Sequence, residues 1–183
     1  MAPLLLVTGP PGAGKSTVAR AIAEGSPHSV FVEGDAFFRF LATGSIAPWL
    51  PAAHEQNQIV TRAAASAVGQ YASGGYFTVY DGIVGPWFLP TFASATGMDE
   101  LDYVVLMPPV ETCVERVATR LNHGFTDEAA TRQMHQEFAS ADIEARHVLK
   151  APPGRVDDVV QVVLSAREGG SLRYRATVKR PTL

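Results

Sequence analysis

The stretch Gly9-Pro10-Pro11-Gly12-Ala13-Gly14-Lys15-Ser16, followed by Thr17, matches G-x-x-x-x-G-K-[ST] at every fixed position. The chemistry of that pattern dictates its residue types. Glycines let the backbone turn tightly and aim its N–H groups inward, while the amino terminus of the next helix adds positive potential. Lys15 is placed to reach the β and γ phosphates of a nucleotide, and Ser16 to offer a hydroxyl to Mg²⁺. At average glycine usage such a match arises by chance on the order of once in a hundred chains of this length. The flanking sequence supplies the required context, because Leu4 to Thr8 reads as a continuous apolar strand and Lys15 to Glu24 as a helix ended by Gly25 and Pro27. Gly9 to Thr17 is therefore read as an ATP-binding loop joining a first strand to a first helix.

The pattern continues along the chain. Val30 to Glu33 and Tyr76 to Tyr80 read as buried strands, Leu101 to Met107 as a fourth, and His147 to Lys150 as a fifth. Between them the sequence predicts helices over Ala52 to Tyr71, Trp87 to Ala95, Val110 to Leu121, Thr126 to Ala141 and Val156 to Arg167. Strands alternating with helices imply an α/β fold of three layers, α/β/α, with a parallel sheet of about five strands. Residues 1–167 form one domain on this reading. Residues 168–183 carry Arg173, Arg175, Lys179 and Arg180. They are expected chiefly as a solvated basic tail, with the alternation of Leu172, Tyr174, Ala176 and Val178 allowing an edge strand instead.

Composition narrows the partners. With 183 residues and 46% hydrophobic content the chain can bury one substantial core, and its net charge of -3 gives no general attraction to polyanions. No nucleic-acid partner is expected. Cys113 is the only cysteine, so an internal disulfide and a multi-thiolate metal site are excluded, which fits a reducing compartment. The apolar start lacks a basic segment and is too short for a signal peptide, and no stretch is long enough to span a bilayer. A cytoplasmic protein without membrane contact is the expectation. The five histidines show no metal spacing, and oligomeric state is left open.

Two carboxylates are candidates for chemistry. Asp35 lies just past the second strand, on the carboxyl edge where α/β sheets bind ligands, and is read as a base for an attacking hydroxyl or a holder of Mg²⁺ through water. It is also a favoured helix N-cap. Asp81 stands at the matching end of the third strand, able to bind acceptor hydroxyls or the metal's water shell, or simply to form an Asp-Gly turn. Arg116 and Arg120, four apart, share one helix face. Phe38, Trp49 and Trp87 lie near the expected acceptor side, where each could equally be core.

An Asn-Lys-x-Asp guanine-reading segment is absent, and the third strand ends in one acid where large motor or AAA-type ATPases carry two, so both classes are set aside. Val32-Glu33-Gly34-Asp35, Pro48-Trp49-Leu50, and Glu115 to Arg120 followed by His123-Gly124-Phe125 resemble small-molecule kinases of the shikimate kinase, gluconate kinase and chloramphenicol phosphotransferase type. Asp81-Gly82-Ile83-Val84-Gly85-Pro86-Trp87 departs from gluconate kinases and is closer to the chloramphenicol phosphotransferase-like, antibiotic-resistance group. The resemblance implies an adenylate-kinase-like strand order and a short lid near residues 122–125. It further implies that Arg116 and Arg120 stack on adenine and clamp phosphates, joined by Arg132. The combined reading is a kinase that moves the ATP γ-phosphate to a hydroxyl of a sugar, nucleoside or antibiotic. Asp35, Lys15 and Arg120 would be catalytic, and Asp35, Phe38, Trp49, Asp81, Trp87 and Arg132 would face the acceptor. A nucleotide-binding switch or ATPase acting through a protein partner is the alternative.

Overall fold

The computed structural model describes residues 3–119, 127–150 and 154–176. In chain order the elements are β1 Leu4–Thr8, α1 Lys15–Glu24, β2 Ser29–Glu33, α2 Asp35–Phe38, α3 His54–Ser73, β3 Phe77–Asp81 and α4 Leu89–Thr96. They continue with β4 Glu100–Leu106, α5 Val110–Ala118, α6 Glu128–Ser140, β5 Val148–Leu149, α7 Val156–Glu168 and β6 Arg173–Arg175. Strands β2-β3-β1-β4-β5 lie side by side and parallel, and β6 pairs antiparallel with β4.

Strand β1 is buried on both sides, so its apolar run divides by the two-residue period of a strand. Leu4 and Leu6 face one core with Ala64, Val68, Phe92 and Tyr103, beneath α3 and α4. Leu5 and Val7 face the other with Val18, Ile22, Val159 and Val163, beneath α1 and α7. Each such side chain contributes about 1.5–3 kcal/mol by leaving water. The helices therefore sandwich the sheet.

Of the boundaries that differ from expectation, two have a visible cause. Pro51 lacks an N–H and opens a short 3₁₀ turn, Pro51–Ala53, so α3 begins at His54. The chain after Gly170 returns to the sheet as β6, with Tyr174 opposite Leu101 and Arg173 opposite Asp102, where a solvated tail was the first expectation. The expected lid at 122–125, with Arg120 and His123, lies outside the described residues, as do residues 177–183. Among the described residues no helix is long and apolar enough to cross a membrane.

A buried ion cluster fastens β6. Asp102, with no exposed surface, lies 3.1 Å from Arg167 Nε through one oxygen and 3.1 Å from Arg173 Nε through the other. Arg173 also pairs with Glu100, and the Arg167 guanidinium sits 4.1 Å over the Phe77 ring. Removing Asp102 would leave these guanidinium groups without their buried counter-charge. Asp102→Ala is expected to lower unfolding free energy by about 3–5 kcal/mol in denaturant titration. A loss below about 1 kcal/mol would show that the cluster behaves as a surface pair.

Candidate active site

Every parallel strand delivers its carboxyl end to the same edge. Between β1 and α1 the loop from Gly9 packs down onto that edge: Gly12 takes φ 77°, and a Cβ there would collide with the Cys113 carbonyl of α5. Helix α1 starts without a side-chain cap and without an acid in its first turn. Its first amides thus keep their positive potential unneutralised, which suits a phosphate. By contrast, Asp127 caps α6 by accepting from the Ala130 amide at 3.0 Å. Lys15 Nζ donates to the Pro10 carbonyl at 3.0 Å, holding the ammonium over the loop, and Arg116 Nη1 reaches the Gly12 carbonyl at 3.4 Å.

Across the edge, β2 pairs with β3 so that Glu33 stands opposite Asp81. The Gly34 amide donates to the Asp81 carbonyl at 2.7 Å, and a side chain at Gly34 would strike the Tyr80 hydroxyl. This close approach turns the chain into α2 and sets Asp35 at its first position. The carboxylate of Asp35 is exposed, accepts no capping hydrogen bond and has no ion pair among the described residues. Gly34 occupies the cap position instead. The Val84 amide donates to Thr8 Oγ1 at 2.8 Å, which ties the segment after β3 back to β1.

A single cavity of about 930 Å³ collects these groups. Its wall includes Gly12, Gly14, Lys15 and Ser16 of the loop, Asp35 and Phe38, Trp49, Asp81 and Trp87. Pro11 also lines it, whereas Gly9, Pro10, Ala13, Thr17 and Arg116 are not in its wall, and Pro10 and Arg116 instead bond to Lys15 and to Gly12. Arg132 is not in this wall. Its guanidinium makes two 2.8 Å bonds to Glu111 of α5 and one of 3.0 Å to Glu128, so it joins α6 to α5.

The sequence reading missed much of the opposite wall. His54, Asn57 and Thr61 of α3 face the cavity, and so do Gln133, Met134, Glu137 and Ser140 of α6. Polar side chains three or four apart in the alanine-rich α3 were the available signal. The wall is braced: Asn57 Nδ2 donates to the Pro48 carbonyl at 2.7 Å, and Gln56 exchanges two hydrogen bonds with Ile46. Trp87 packs on Phe138 with centroids 5.1 Å apart, and His54 stacks on Phe88 at 5.6 Å.

Electrostatics mark Asp81. Burial first pushes its carboxyl above the ordinary range; Lys15 and the Ser16 hydroxyl pull it down, while Asp35 and Glu33 push it further up. Its Oδ1 is buried with no hydrogen-bond partner among the described residues. An orphaned carboxylate oxygen beside a Ser16 hydroxyl is a donor set that fits Mg²⁺, which takes one or two protein oxygens and completes its shell with phosphate and water. Burial likewise raises the phenol of Tyr80, with Asp35 and Asp81 adding to it.

Residues 4–141 match the family described as AAA domain. The chain belongs to that family. The match spans the phosphate loop at Gly9 to Thr17 and agrees with the P-loop reading of the sequence. A search of curated proteins returned no match. Among solved structures, a sugar kinase of Janibacter sp. HTCC2649 is similar with a TM-score of 0.69 at 19% identity, over 90% of this chain and 94% of that one. A gluconokinase of Sinorhizobium meliloti 1021 gives 0.62 at 18%, over 91% and 92%. The tunicamycin resistance protein of Deinococcus radiodurans gives 0.66 at 16%, over 97% and 100%. At these identities the likeness establishes a shared P-loop fold.

The raised Asp81 carboxyl makes a signed prediction. Its folded value lies above the unfolded one, so stability is lost as pH climbs from about 4, the ordinary aspartate range, through the raised range. Asp81→Asn removes that loss. The variant's thermal midpoint is expected to exceed the parent's at pH 7 to 8, with the gap closing toward pH 4. A gap that stays flat across this window would contradict an ionisation that costs the fold.

Proposed function

We propose that this protein transfers the γ-phosphate of ATP to a hydroxyl of a small polar molecule, a sugar, nucleoside or antibiotic. The observation that carries the reading is the joint wall of one cavity. A phosphate loop leading into an uncapped helix, with Lys15, forms one part, and the carboxylate of Asp35, without an ion pair among the described residues, stands on the strand end two strands away, with aromatic-lined space beyond. A hydrolase needs no such space for an acceptor. The kinases and the resistance protein that share the fold support the same direction, and an antibiotic-resistance role belongs to it.

The loop amides and Lys15 would hold the β and γ phosphates, with Arg116, and Arg120 outside the described residues, adding positive charge. Ser16 and Asp81 would hold Mg²⁺, which would supply neutralising positive charge to the phosphates. Asp35 would orient the acceptor hydroxyl and take its proton as the acceptor oxygen bonds to the γ-phosphorus. The bond from that phosphorus to its bridging oxygen breaks, and ADP departs with the electron pair. Water must be kept out, since a wet γ-phosphate is hydrolysed. Trp49, Trp87 and Phe38 supply apolar surface for that exclusion.

Asp35→Asn preserves size and hydrogen bonding while removing the basic site. Acceptor-dependent turnover is expected to fall by about 10²- to 10⁴-fold, the usual share of general-base assistance, with ATP affinity and thermal midpoint nearly unchanged. A stable variant that binds ATP and still transfers phosphate at more than about a tenth of the parent rate would remove Asp35 from the role of base.

A further inference from the structure

The carboxylates in the cavity wall outnumber its strongly basic side chains. Among the described residues the wall carries four carboxylates, Glu33, Asp35, Asp81 and Glu137, and one strongly basic side chain, Lys15. Lys15 sits over the phosphate loop, hydrogen-bonded to Pro10. Glu33 is paired with Arg39 at 3.5 Å. Glu137 accepts a hydrogen bond from Gln133 and has no cationic partner among the described residues, and Asp35 has none either.

Asn57 points the same way. Its amide nitrogen is spent on the Pro48 carbonyl, which leaves Oδ1, buried and without a hydrogen-bond partner among the described residues. A buried acceptor atom left unmade costs free energy until a donor arrives. With Asp81 assigned to Mg²⁺ and Glu33 paired with Arg39, Asp35 and Glu137 are the carboxylates of this wall left to face the acceptor. Trp49, Trp87 and Phe38 add ring faces, which attract cations and repel anions.

From this wall, resting on the phosphotransfer reading above, we infer that the acceptor is an alcohol that also bears a protonated amine and carries no acidic group. The amine meets Glu137 and the tryptophan faces, and the hydroxyls donate to Asn57 Oδ1 and Asp35. A carboxylate or phosphate on the acceptor would instead lie against uncompensated negative charge, with no described arginine in the wall to receive it.

The test uses small alcohols in matched sets of three: a primary amine, its N-acetyl derivative and its carboxylate analogue, drawn from amino sugars, aminocyclitols and amino alcohols. ADP release above the acceptor-free rate is measured at saturating ATP. The amine members are expected to exceed their acetylated partners by at least about tenfold in kcat/KM, the worth of one charge-assisted hydrogen bond. Carboxylate members are expected to give no stimulation. Glu137→Gln should reduce the amine preference, the ratio of amine to acetylated kcat/KM, by about tenfold, and an unchanged ratio would overturn the assignment of Glu137 to the amine. Stimulation equal or greater with acetylated or carboxylate members would overturn the inference and leave phosphotransfer standing. If no class stimulates ADP release although ATP binds, phosphotransfer itself fails and the inference falls with it.

Discussion

The parallel pairing of β1 with β3, and of β3 with β2, is the interaction on which the remaining geometry depends. In that register Val7 stands opposite Asp81 and Asp81 opposite Glu33, so three strands end on nearly one line. The loop after β1, the turn after β2 and the segment after β3 then have to share a small volume. Gly34 against the Tyr80 hydroxyl and the Thr8 side chain holding the Val84 amide are local consequences of that crowding. A one-residue slip between β2 and β3 would reverse the faces of β2 and carry Asp35 away from the loop.

Charge is partitioned across this edge. Positive potential is concentrated at the start of α1, whose first turn holds no acid, and at Lys15. Negative charge gathers on the facing wall, and Asp81 lies between the two, destabilised by burial and by Asp35 and Glu33 yet pulled back by Lys15 and Ser16. A carboxylate held under such opposing influences costs the resting fold and gains when a cation arrives. Stability given up at a site of this kind is the ordinary companion of preorganised binding.

The parts of the molecule governed by near neighbours were legible in the sequence. Leu4–Thr8 and Lys15–Glu24 stand where the apolar run and the helix signals put them, and the strand ends bearing Asp35 and Asp81 follow from the alternating pattern. What depends on distant partners was not legible. Arg132 looked available because its partner Glu111 lies 21 residues away on α5, and β6 is held by Asp102, 71 residues from Arg173. The cavity faces of α3 and α6 were hidden for a related reason. Polar side chains crowd the first turns of α3 on every side, so their spacing alone did not show which of them faced the cavity until α4 and the loop near Pro48 were placed.

The central claim is that phosphate leaves ATP for an alcohol and not for water. Phosphorus NMR of the protein with ATP, Mg²⁺ and a mixture of small alcohols follows both fates at once. The account predicts a new phosphomonoester resonance that grows in step with ADP, with little inorganic phosphate. Inorganic phosphate formed in step with ADP, at a rate indifferent to the alcohols, would contradict it.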